Sequence, residues 1–84
     1  MSEPARILVI DDDETVRESL ATVLQEQGFA VDTAENGKEA IEKSKANVCD
    51  LALIDIRLPD MEATRLLAEM RETTPKMAKI IVTG

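Results

Sequence analysis

Two hydrophobic patterns alternate along the chain. Ile7-Leu8-Val9-Ile10 is an unbroken aliphatic run closed by Asp11, short enough to predict a strand buried on both faces. From residue 14 the period lengthens. Val16, Leu20, Val23, Leu24 and Gln27 recur at helical spacing, and Gly28 predicts the stop, because a helix often ends on a residue free to take positive φ. Phe29 to Ala34 reads as a brief second strand. Asn36 with Glu39 three residues on is an N-cap signal for a helix running to about Ala46.

The alternation then repeats. Leu51-Ala52-Leu53-Ile54 is a second fully apolar run, hence a central strand. Asp60 or Glu62 can open a third helix after Pro59, with an apolar stripe of Ala63, Leu66, Leu67 and Met70 and with Pro75 beyond its end. Ala78 to Val82 predicts a last strand. The order β-α-β-α-β-α-β implies an α/β fold, a parallel sheet with right-handed crossovers and helices on its faces.

Composition narrows the picture. Eighty-four residues hold one small domain, read as 1–84. Phe29 is the only aromatic residue, so the core must be aliphatic. The excess of 17 acidic over 10 basic residues, a net charge of −7, argues against a surface for nucleic-acid phosphates or anionic lipid. No apolar run is long enough to span a membrane, and Met1 to Arg6 lacks the regions of a signal peptide. A single cysteine, Cys49, then points to a reducing cytoplasm and to the role of a small buried hydrophobe.

Chemistry concentrates at strand ends, where open parallel sheets gather ligands. The first strand ends in Asp11-Asp12-Asp13-Glu14, the third in Asp55 and the fourth in Thr83-Gly84. One acid after a strand is commonly a turn residue, and Asp13 and Glu14 suit the cap and first turn of the first helix. The combination says more. If the first and third strands are neighbours, Asp11, Asp12 and Asp55 converge. Two carboxylates ~4 Å apart repel by roughly 4 kcal/mol at an effective dielectric of 20. Such a cluster calls for a cation or a held proton, and hard oxygen donors suit Mg²⁺. A carboxylate there can attack phosphorus to form an acyl phosphate, with the Thr83 hydroxyl placed to hydrogen-bond the new phosphoryl oxygens.

Ile7 to Asp13, Leu51 to Met61, Ile80 to Gly84 and Thr33 to Ala40 together resemble the receiver domains of two-component response regulators. The resemblance implies a flavodoxin-like sheet of strand order 2-1-3-4 with helices on both faces. It implies a signalling module, not an enzyme, with Asp55 as phosphoacceptor for a histidine kinase or phosphotransfer protein. By the same resemblance Asp12 and Asp55 would bind Mg²⁺ directly and Asp11 through water. Arg57 would offer its backbone carbonyl, and Thr83 would be the switch hydroxyl.

The chain also departs from that family. Met61-Glu62-Ala63 stands where a Gly is usual, and the family's last helix-strand-helix is lacking, so a form truncated after the fourth strand, with impaired switching, is expected. The family's later lysine goes with it. Lys79 is a poor substitute, four residues before Thr83 and about 13 Å along an extended strand. The open fourth-strand edge would favour a homodimer. Two other readings compete: a non-phosphorylated interaction module derived from a receiver, and a haloacid-dehalogenase-type phosphatase using Asp11 and Asp13, which Asp11-Asp12-Asp13-Glu14-Thr15 would fit.

Overall fold

The computed structural model describes residues 4–82, so Thr83 lies outside the described residues. The elements run β1 (Arg6–Ile10), α1 (Glu14–Glu26), β2 (Ala30–Ala34), α2 (Gly37–Ala46), β3 (Leu51–Asp55), α3 (Ala63–Thr73) and β4 (Ala78–Val82). All four strands are parallel, as the alternation predicts, and stand in the order β2-β1-β3-β4, as the family resemblance implies. Register pairs Ile10 with both Ala34 and Ile54, so the ends of β1, β2 and β3 lie level.

The apolar runs account for the centre of the sheet. Ile7, Leu8, Val9 and Ile10 are all buried, because helices cover both faces of β1. On one face Leu8, Ile10, Ala52 and Ile54 join Ala40 of α2 and Leu66 and Met70 of α3 in the main cluster. The alanines at 34, 40, 52 and 63 let helix and sheet approach closely, and the larger side chains fill the remaining volume. On the other face Val9 and Leu53 border a cleft with Val16 and Leu20 of α1.

That second face is thinly covered. None of the α1 residues is fully buried, and Val16 and Val23 are 42% and 54% exposed although they belong to the helical stripe. On β4, at the sheet edge, Ile80, Ile81 and Val82 are exposed too.

Helix ends follow local chemistry, with one correction to the sequence reading. Gly28 takes φ 96°, and the amides of Gly28 and Phe29 donate to the carbonyls of Gln25 and Leu24. This is the paired-bond helix stop that glycine permits. It draws Phe29 into the helix terminus, so β2 begins at Ala30 and not at Phe29.

Of the two acids that could open α3, Glu62 is the cap residue, and its side chain makes no capping bond. Asp60 instead reaches across to α2, accepting from the amides of Gly37 at 2.8 Å and Lys38 at 2.9 Å. Asn36 caps the same helix through the Glu39 amide at 2.8 Å. Two acceptors thus serve the first amides of one helix, whose amino-terminal dipole favours the Asp60 charge. The turn through Met61-Glu62-Ala63 needs no glycine, because among the described residues no residue other than glycine has positive φ.

Candidate phosphoacceptor and metal site

Asp11 and Asp12 follow β1 directly, and Asp55 is the last residue of β3. Because β1 and β3 are hydrogen-bonded neighbours in level register, the three side chains meet at one end of the sheet. One carboxylate oxygen from each lies within 4.8 Å of the other two. Asp11 and Asp55 are half-buried and Asp12 is exposed. They border a cleft of about 410 Å³ that Arg57 also lines and that runs down between α1 and the sheet past Val16 and Val82.

Asp11 and Asp55 are each oriented by backbone geometry. Asp11 accepts from the Asp13 amide at 2.9 Å, and Asp55 accepts from the Arg57 amide at 3.1 Å. Each of these two carboxylates thus turns back on the amide two residues ahead, as Asp does in tight turns. The Asp11 main chain is held twice more, its amide donating to the Ala34 carbonyl and its carbonyl accepting from the Arg17 guanidinium at 2.8 Å. Burial pushes the Asp11 carboxyl above its ordinary value, and the nearby Asp55 and Asp12 charges push the same way, against the opposing Asp13 amide.

The donor set suits a small hard cation. At Mg–O distances of about 2.1 Å, opposite ligands of an octahedral ion stand about 4.2 Å apart. Three carboxylate oxygens within 4.8 Å match that scale after small rotations, or with one acid acting through water. Asp13 is occupied differently. Its carboxylate accepts from the Val16 amide at 3.2 Å and caps α1.

Asp11, Asp12, Asp55 and Arg57 are therefore brought together around one cleft. Lys79 is not among them. Its ammonium donates to the carbonyls of Thr74 and Met77 beside the opposite end of the sheet. Cys49 is buried, as expected, with burial first and the Asp32 charge second raising its thiol above the ordinary value. Sequence reasoning missed Arg17 as the holder of the Asp11 carbonyl and Asp60 as the link to α2. Neither bond leaves a periodic signal, since one joins residues six apart and the other residues more than twenty apart.

Comparison with known proteins agrees with this fold. The family model described as "Response regulator receiver domain" matches residues 7–84. The response regulator MprA of Mycolicibacterium vanbaalenii is 32% identical over 81 residues, covering 96% of this chain and 35% of the relative. The chain thus spans about a third of that relative's length. Among solved structures, a CheY-like receiver domain protein from Methanospirillum hungatei superposes with a TM-score of 0.93 at 41% identity, over 96% of this chain and 65% of the other. The response regulator TrrA of Thermotoga maritima, solved with Mg²⁺-BeF, gives a TM-score of 0.87 at 39% identity over 94% of this chain and 69% of TrrA. TrrA has also been solved in complex with the histidine kinase ThkA.

Proposed function

We propose a function from one premise: this chain belongs to the response regulator receiver domain family. Residues 1–84 form a single receiver unit that accepts a phosphoryl group on Asp55 from a histidine kinase or phosphotransfer protein. The observation that carries this reading is the meeting of Asp11, Asp12 and Asp55 at the level ends of β1 and β3. TrrA, which has been solved both with Mg²⁺-BeF and with a kinase, supports the choice of metal and partner.

An Asp55 carboxylate oxygen attacks the donor phosphorus. The new P–O bond forms as the bond to the phosphohistidine nitrogen, or to the acetate oxygen of acetyl phosphate, breaks. The leaving nitrogen keeps its bonding pair, and acetate departs as an anion. Asp12 and Asp55 would hold Mg²⁺ directly, Asp11 would hold it through water, and Arg57 would add its backbone carbonyl. An ion so held would offset the negative charge of the incoming phosphoryl group. Thr83 is the switch hydroxyl. Turnover of a diffusing substrate is not part of the role; the unit is a cytoplasmic signalling module. No helix among the described residues is long and apolar enough to cross a membrane.

The exposed β4 edge favours a second reading, an interaction module that pairs with another copy through Ile80 to Val82 without phosphorylation. One experiment separates the two. With acetyl phosphate and Mg²⁺, intact-mass measurement should find one phosphoryl adduct on the wild type and none on Asp55→Asn. An adduct that persists on the variant overturns the assignment of Asp55, and a wild type that never labels leaves the interaction module.

A further inference from the structure

The seven residues between β3 and α3 form a loop fastened at three levels. At its root the Arg57 amide donates to the Asp55 carboxylate at 3.1 Å. Higher up, Arg57 and Glu62 pair as an antiparallel bridge that closes the loop on itself. At its tip the Asp60 carboxylate takes the amides of Gly37 and Lys38, one on each oxygen. Met61 packs beside it in the space left by the missing side chain of Gly37, where a Cβ would stand 2.5 Å from the methionine Cγ and Sδ. Burial alone would raise the Asp60 carboxyl. The Gly37 and Lys38 amides, its own amide and Arg65 outweigh that and hold it below the ordinary carboxylate value. Asp60 touches none of the three clustered acids, yet it fixes the tip of the loop whose base carries Asp55 and Arg57.

We infer that Asp60 is a positioning residue for the metal site: by clasping the start of α2 it holds the 56–62 loop in the conformation that keeps Arg57 beside the acidic cluster. This rests on the reading of the Arg57 carbonyl as a Mg²⁺ ligand. A backbone ligand has no rotamer with which to adapt, so its placement depends on whatever fixes the loop. Outer supports of this kind commonly change metal affinity by 10–100-fold. The other ligands here are side chains of their own strand ends, so the effect should sit at the low end of that range. Asn36 provides the internal control. It caps the same helix but does not bridge to the loop.

The test is Mg²⁺ titration of the 84-residue chain, followed by the amide NMR shifts of Ile56 and Arg57, on the wild type and on Asp60→Ala, Asp60→Ser and Asn36→Ala. Hydrogen exchange of residues 56–62 without metal runs in parallel. The Mg²⁺ midpoint should rise about tenfold in Asp60→Ala, recover in part in Asp60→Ser, whose hydroxyl can cap one amide, and stay at the wild-type value in Asn36→Ala despite a comparable loss of thermal stability. Loop exchange should quicken only in the Asp60 variants. Equal midpoints in wild type and Asp60→Ala overturn the inference, as does an equal rise in Asn36→Ala, which would mark a purely structural effect. A wild type with no Mg²⁺ response defeats the metal-site reading itself, a result distinct from both.

Discussion

Asp11 and Asp55 close the ends of two adjacent parallel strands in level register, and their carboxylates fall within 4.8 Å of each other with Asp12 beside them. In the absence of a cation this is a concentration of like charge that the fold tolerates. Part of the strain appears as the raised Asp11 carboxyl, caused first by burial and then by its acidic neighbours.

Removing one charge should therefore separate affinity from stability. Asp12→Ala is expected to weaken Mg²⁺ binding strongly and to raise thermal stability slightly in metal-free buffer. The gain is about 1 kcal/mol or less, since Asp12 is exposed and its repulsion is screened. Denaturant titration with and without Mg²⁺ checks both signs. A variant less stable than the wild type without metal would contradict the crowding account.

Asp60 should impose the opposite acid dependence from Asp11. Its carboxyl is held below the ordinary value in the folded chain, so its contribution is fully present above the unfolded value of 3.8. The contribution is lost as pH falls through the lower folded value. Asp60→Asn should thus be less stable than the wild type at neutral pH by about 0.5–1 kcal/mol, the low end for a helix cap because the group is exposed. The two curves of stability against pH should begin to approach each other below about pH 4 and meet only below the lower folded value. Parallel curves down to acid pH would show that the charge of Asp60 does not matter.

The two faces of the sheet should respond unequally to truncation. Leu66 is fully buried among α3, β1 and β3 residues, and Leu66→Ala should cost about 2–5 kcal/mol. Val23 on α1 is 54% exposed, and Val23→Ser should stay within about 0.5 kcal/mol. Urea unfolding of both variants tests the contrast. Equal costs would mean that α1 is more deeply packed than its exposure indicates.

The 84-residue chain should associate at high concentration through β4. Ile81 is 37% exposed on this edge strand and lies opposite Ile54 in register. Ile81→Lys places a charge where another strand would pair, a device that natural edges use against association. Sedimentation equilibrium should show a concentration-dependent mass for the wild type and a smaller one for the variant. A wild type that stays monomeric removes the edge-pairing reading.

Much of this was legible in the residues themselves. The two unbroken apolar runs read as central strands, and they form the central pair β1 and β3, with Asp11 and Asp12 directly after the first and Asp55 ending the second. Asp13 and Asn36 announced the caps they make, because a cap is a local interaction between residues three apart. The sequence leaves Asp60 and Glu62 open as the start of α3 for the converse reason. Its position before a helix fits a cap of that helix, and nothing local reveals amides 22 and 23 residues away. The α1 stripe has true helical period, but period says which face is apolar and not how deeply it is covered. Phe29 looked like strand because aromatic residues favour strands, and the helix stop at Gly28 claimed its amide first.

The anchoring of Lys79 has a practical consequence for redesign. Its ammonium satisfies two carbonyl groups, those of Thr74 and Met77, at the junction where α3 hands over to β4. Swinging that side chain upward to serve as a counter-charge would strip both acceptors and loosen the hinge between the last helix and the outermost strand. This lysine is the rivet of that junction.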